Sequence, residues 1–343
     1  MRLLPIILLV AALVPVSAAA QDANRVTVMA YNVENFFDST DDPRYPNSDN
    51  AEVINSPEWV AAKASALARV ISRFDGGRGP DVLILSEVES RAALNAILGA
   101  LPNGSAYVTT AFFDADPGRP APKPDRRGID VAVLSKLSAA AGTSPQFHPV
   151  DLTGETACRD DDGTPGTTRD IIEATLQLPD GRAMTVFGAH MPSGRNPIAC
   201  RIAAVDRLEA LASALPTDRV VVAAGDFNFN CAPNEQTSLR QHLSKWSVPP
   251  QTDNGCRGQG SQWFGRDRSW SFLDVIAQRE MGGAVPWRVD QRTFRPVLTD
   301  FEQITFDTAS QQLRPKAFRF NQTSGQGSGT SDHWPVAADL VRR

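Results

Sequence analysis

Apolar residues in this chain gather in short runs that end on polar groups. Residues 25–31 alternate and predict a first strand running into Asn32. Residues 81–85, 129–134, 171–178, 184–189, 271–277 and 336–340, with the Val-rich run from Val220, are of strand length and predict further strands. Helical spacing occurs elsewhere. Ser56-Pro57 caps and starts a helix whose apolar stripe is Val60, Ala64, Leu67, Ala68 and Ile71; a second helix covers about 91–98, and Asn196-Pro197 opens a third, to about Leu215. Polar stretches rich in Pro, Asp, Asn or Gly at 38–55, 111–128 and 156–168 read as loops. Several strands follow one another with no helix between them. That predicts an α/β fold with a two-layer sheet core flanked by helices, not a purely parallel doubly wound sheet.

The N-terminus stands apart from this pattern. Arg2, an apolar run over 3–14, and Ala18-Ala19-Ala20 before Gln21 have the form of a secretory signal peptide cleaved after Ala20. The run is too short for a stable membrane-spanning helix. The remaining residues, 21–343, are expected to form one domain, exported to the periplasm or the medium, with no stable membrane association and no protein partner. Export permits disulfides among Cys158, Cys200, Cys231 and Cys256, for which three pairings exist. The net charge of -5 opposes a globally basic nucleic-acid binder, but a local arginine rim could still steer a nucleic acid.

Chemistry-bearing groups recur just past the strand ends: Asn32, Glu87, His190, Asp226 with Asn228, and Asp332 with His333. Taken singly each has a plain alternative: a turn residue, a helix cap, a satisfied interfacial histidine. Taken together they suit metal-assisted phosphoryl transfer. Glu87 and Asp332 are hard oxygen ligands for Mg²⁺, with Asn32 offering a neutral oxygen and Mn²⁺ or Ca²⁺ as substitutes. Asp226 and Asn228, two residues apart on an extended backbone, point the same way and could position and deprotonate a water. Asp274 lies in the apolar run W-S-F-L-D-V-I, where an unpaired carboxylate is costly, so it needs a partner: His333, or an arginine such as Arg268.

The motifs Y-N-V-E-N-F-F-D (31–38), L-S-E-V-E (85–89), R-G-I-D-V-A-V-L-S (127–135), G-A-H-M-P-S-G (188–194), G-D-F-N (225–228), W-S-F-L-D (270–274) and S-D-H-W-P-V (331–336) span almost the whole of 21–343. In this order they resemble the endonuclease/exonuclease/phosphatase superfamily, and Y-N-V-E-N-F-F-D resembles a bacterial exported branch of it. The resemblance implies a four-layer DNase I-like sandwich of two mixed β-sheets. It places the metal at Glu87, with Asn32 and Asp332 in or near its shell. Asp226 and Asn228 match the water-activating and phosphate-positioning pair, His333 the phosphate-contacting histidine, and Asp274 its orienting aspartate. His190 matches the second histidine of the DNase-like and sphingomyelinase-like members; Asp130 is a weak candidate for its carboxylate partner. Ser86 stands where many relatives have Gln, and Ser135-Lys136 where many have an aromatic and an arginine.

Substrate is less sharply specified. Arg126, Arg127, Arg195, Arg201, Arg257, Arg266 and Arg268 are candidate phosphate contacts. A nonspecific endonuclease acting on nucleic acid as a monomer is the first expectation. A sphingomyelinase-like lipid phosphodiesterase is the second; for membrane entry it would have only the Trp263-Phe264 pair. A phosphomonoesterase is third. A binding module on a degenerate scaffold is disfavoured, because no proposed acid, amide or histidine has been replaced. Chain order favours the disulfides Cys158–Cys200 and Cys231–Cys256, each stapling a loop at the rim of the site.

Overall fold

The computed structural model describes residues 22–40, 54–113, 128–152, 154, 158, 168–249 and 259–343. The expected signal peptide, Arg126, Arg127, Cys256 and Arg257 lie outside them. Six strands form one sheet in the spatial order β13 (Trp287–Pro296), β18 (Val336–Arg342), β1 (Arg25–Phe36), β2 (Val82–Val88), β4 (Asp130–Ser135), β3 (Thr109–Phe112). A second sheet runs β5 (Gln146–His148), β6 (Ile171–Gln177), β7 (Ala183–His190), β8 (Val220–Asp226), β12 (Asp274–Arg279), β9 (Trp246–Ser247). Each is mixed: β1–β2 and β7–β8 are parallel, and the other pairings are antiparallel. Three hairpins stand outside the sheets: β10 (Gln262–Phe264) with β11 (Ser269–Ser271), β14 (Ile304–Asp307) with β15 (Gln312–Pro315), and β16 (Arg319–Asn321) with β17 (Gln326–Ser328).

The period-two pattern decides the layers. On β1, Val26, Val28 and Ala30 face the second sheet, where they meet Met184, Val186, Val220, Val222 and Ile276. The alternate residues Met29 and Tyr31 face outward, under α1 (Pro57–Gly77) and α2 (Arg91–Ala100). The outer face of the second sheet is covered by α3 (Ile198–Ser213) and α4 (Pro233–His242). The result is the four-layer α/β sandwich that the sequence implied. Ser56 caps α1 as expected, its side chain accepting from the Trp59 N–H.

Sequence patterning missed several elements. β13 is an edge strand whose outer positions carry Arg288, Asp290 and Arg292, and a register shift between Asp290 and Arg295 breaks its alternation. α4 and the short hairpins bury little apolar surface and so leave no stripe to read. β12 begins at Asp274, three residues later than expected, because Ser271 belongs to the β10–β11 hairpin. Cys158 and Cys200 are bonded to each other, with Cα atoms 5.5 Å apart; Cys231 is also disulfide-bonded.

Gly225 is the backbone position on which the site depends most. It sits at φ +139, and a Cβ there would lie 2.0 Å from the Ala189 carbonyl oxygen on β7. Gly225→Ala is therefore expected to destabilise the protein by about 3 kcal/mol, the upper range for overpacking with strain. Urea denaturation followed by circular dichroism checks this; an unchanged midpoint would mean that β7 and β8 separate without cost.

Candidate active site

The inter-sheet stripe ends, at one edge of the sandwich, in polar groups. Alternation carries Val28 and Ala30 on to Asn32; Val186 and Gly188 on to His190; and Val222 and Ala224 on to Asp226. Register then aligns three of the groups across the second sheet, since His190 is paired with Asp226 and Asp226 with Asp274. Glu87 arrives differently. By alternation it would follow Leu83 and Leu85 beneath the helices, but it adopts φ +68 where the β2 register shifts between Ser86 and Val88, and its carboxylate reaches Asn32. Asp332 and His333 come from the segment before β18, held by the Ser331 hydroxyl, which donates to the Asn32 carbonyl and accepts from the His333 N–H.

Asn32 joins the two sheets: its Nδ2 donates to Glu87 Oε1 at 3.2 Å and to Asp226 Oδ2 at 3.0 Å, while its Oδ1 accepts from the Glu34 N–H. His190 Nε2 lies 3.7 Å from Asp226 Oδ2 and 3.9 Å from Glu87 Oε1. Asn228, at φ +55, donates its backbone N–H to Asp226 Oδ1 and its side-chain amide to the Met191 carbonyl. His333 Nδ1 is 2.7 Å from Asp274 Oδ2, so histidine rather than arginine is the partner of that buried carboxylate.

The electrostatics separate an acid from a base. Burial, then the charge of Asp274, pushes the Asp226 carboxyl up to about 7, against the pull of His333 and Asn32. Burial pulls His333 down, but Asp274, Asp332 and Asp226 overcome it and hold the imidazolium well above its ordinary range. Burial, and the like charge of Glu87, raise Asp332 despite the opposing pull of His333 and Lys63. Four carboxylates thus converge with too little positive charge to balance them.

Other expectations come out differently. Arg201 is buried, bonded to Glu235 at 2.6 Å and to the Ser193 and Asn196 carbonyls; it braces the loop after β7 and cannot reach a substrate phosphate. Arg195, Arg266 and Arg268 are exposed. Trp263 is packed edge-on against Trp270, which leaves Phe264 as the exposed member of that pair. Two groups beside the site were not picked out from the sequence: Glu34, inside the first motif, and Lys63. The signal for Lys63 was a lysine three residues after Val60 and four before Leu67, on the buried face of an amphipathic helix.

Residues 29–297 match the family model described as the endonuclease/exonuclease/phosphatase family. The chain belongs to this family. No curated protein sequence matches it. Among solved structures it is similar to a humanized TDP2 of D. rerio (14% identity, TM-score 0.56, covering 93% of this chain and 99% of that one). It is also similar to beta toxin of Staphylococcus aureus (15%, 0.57, 91% and 99%) and to sphingomyelinase C of Streptomyces griseocarneus (18%, 0.54, 92% and 99%). At these identities the likeness establishes the fold.

Membership in the endonuclease/exonuclease/phosphatase family, with this cluster of groups, makes the chain a metal-dependent hydrolase of the DNase I-like clan. Hard oxygen donors carrying unbalanced negative charge fit a divalent cation. Among the described residues, Asp226, Asp274 and His333 offer one ligand atom each within 4.8 Å of one another, a buried cluster able to coordinate such an ion.

Proposed function

We propose that the protein is an exported, divalent-metal-dependent phosphodiesterase of the bacterial branch of its family, acting on nucleic acid as a nonspecific endonuclease. The observation that carries this reading is the meeting, at one sandwich edge, of the buried Asp226, bonded to Asn32 and paired in register with His190 and Asp274, with the Asp274–His333 hydrogen bond of 2.7 Å. Glu87 and Asp332 would hold Mg²⁺, with Asn32 flanking them; this leaves Asp274 bonded to His333 rather than to the metal. When bound, the ion offsets charge on the phosphate and the leaving oxygen. Asp226 takes the proton of the attacking water, which Asn228 helps to place. His333 and His190 donate to the phosphoryl oxygens as charge builds there. Export is supported by the N-terminal pattern and by the Cys158–Cys200 disulfide.

Nucleic acid is favoured by the exposed Arg195, Arg266 and Arg268 and by the likeness to a D. rerio TDP2 complexed with a single-strand DNA product (14% identity, TM-score 0.56). A lipid phosphodiester is the second reading, and one observation favours it: Phe301 is 91% exposed and the β14–β15 hairpin displays Phe306 and Leu313. One panel separates the two: supercoiled plasmid, single-stranded RNA, sphingomyelin vesicles and an aryl phosphomonoester, each with EDTA and with Mg²⁺ added back. The expected result is plasmid nicking that EDTA abolishes and Mg²⁺ restores. Phosphocholine release with intact plasmid would move the substrate to lipid. Undiminished hydrolysis in EDTA would remove the metal from the mechanism.

A further inference from the structure

We infer that Lys63 is a positioning residue that presets the Glu87 carboxylate through a single peptide group, an inference that rests on the metal-holding role proposed for Glu87. Lys63 occupies the buried face of α1 with a side chain 2% exposed. Burying an ammonium is expensive unless it is well paired, and a helix that needed only a packed face would be served by Leu or Met. Its Nζ hydrogen-bonds the Glu34 carbonyl oxygen, lies 4.0 Å from Glu34 Oε2, and sits 5.2 Å and 5.5 Å from the ring centres of Trp59 and Phe318.

The Glu34 carbonyl and the Asn35 N–H are the two poles of one planar peptide and point in opposite directions. From the second pole, the Asn35 N–H donates to Glu87 Oε2 at 2.7 Å. An ammonium, a peptide dipole and a carboxylate therefore stand in line. Both hydrogen bonds have a charged partner and polarise one another across the peptide. Glu34 and Asn35 stand at φ +57 and +45, and Glu87 at +68, so three non-glycine residues occupy left-handed conformations within one hydrogen-bonded link. Such conformations persist only where the surroundings over-determine them. The Glu34 amide and carboxylate are held from elsewhere, by Asn32 Oδ1 and the Phe318 N–H. Its carbonyl is held by Lys63. With that ammonium gone, the 34–35 peptide is free to rotate and take its N–H off Glu87.

The test is calorimetric titration of the whole purified protein with Mn²⁺, comparing wild type, Lys63→Met, Lys63→Gln and Glu87→Gln, with thermal melts alongside. Lys63→Met keeps the stem and removes donor and charge. It is expected to bind Mn²⁺ about 10–100-fold more weakly, the usual effect of losing a group that orients a metal ligand. Lys63→Gln, which retains an N–H donor, should fall between. A mere anchor of α1 would change the melting temperature and leave Mn²⁺ affinity alone. If folded Lys63→Met binds as wild type while Glu87→Gln does not, the inference is overturned and the metal site stands. Should Lys63→Met not fold, Lys63→Gln decides by the same criterion. Wild-type affinity in Glu87→Gln would overturn the metal assignment and the inference with it.

Discussion

Asp226→Asn is expected to abolish phosphodiester hydrolysis and, in the same protein, to flatten the loss of stability between pH 5 and pH 8. The rate effect follows from removing the base, typically 10²–10⁴-fold. The stability effect follows from where that base is kept. Asp226 is buried beside Asp274, and its carboxyl is raised to about 7, well above the value of about 3.9 in an unfolded chain. A raised carboxyl stabilises the fold when protonated: its contribution is fully present below about pH 3.9 and is lost as pH rises through 7. At pH 8 the metal-free protein therefore holds a buried charge at a cost on the order of 2–4 kcal/mol. Asp332, Glu34 and His333 are raised too and slope the same way, so the variant reduces the slope without removing it. Urea denaturation in EDTA at the two pH values measures this. Parallel pH dependence in wild type and variant would mean that Asp226 is already ionised in the folded protein at pH 5.

His333→Ala should cost nearly as much rate, and more than Asp274→Asn. His333 meets the phosphoryl oxygens in the proposed mechanism, whereas Asp274 acts through it, from 2.7 Å away. The sharper difference lies in the pH profile. Asp274 is foremost among the groups that hold His333 well above its ordinary range, against the effect of burial. Neutralising it should let the imidazolium lose its proton at lower pH, so the alkaline limb of kcat moves down; because the charge of Asp274 also helps, after burial, to hold Asp226 up, the acid limb moves down with it. Profiles on a soluble aryl phosphodiester would show it. A larger loss in Asp274→Asn than in His333→Ala would break up the pair as assigned.

How far the sequence could be read depended on whether period two held. Where strands run straight, as at Asn32, His190 and Asp226, the polar residue that ends an apolar alternation falls on the inter-sheet face, and reading alone brings these groups to one edge. Where the backbone departs from that rule, alternation alone misplaces a residue, and Glu87 is reached through its place past a strand end and the motif L-S-E-V-E instead. Glu87 is delivered by a left-handed residue at a register shift, which alternation would have placed under α2. Glu34 and Asn35 lie inside a motif that was read, but their role depends on a conformation that no residue type announces. Arg201 had the composition of a phosphate ligand and the position of a core brace; only the depth of α3 against Glu235 tells the two apart. β13 escaped notice because an edge strand with charged residues outward looks like a loop.

The strand order of the first sheet has a consequence for the timing of activity. β18, last among the described strands, lies between β13 and β1, so the sheet receives this interior member only after the chain has supplied all its other strands. Asp332 and His333 directly precede it, and the Ser331 hydroxyl reaches the Asn32 carbonyl as that strand seats. A nascent chain, or one clipped before residue 330, has a split sheet and half a reaction centre. The sheet and the reaction centre are thus completed in a single event, the seating of residues 331–342.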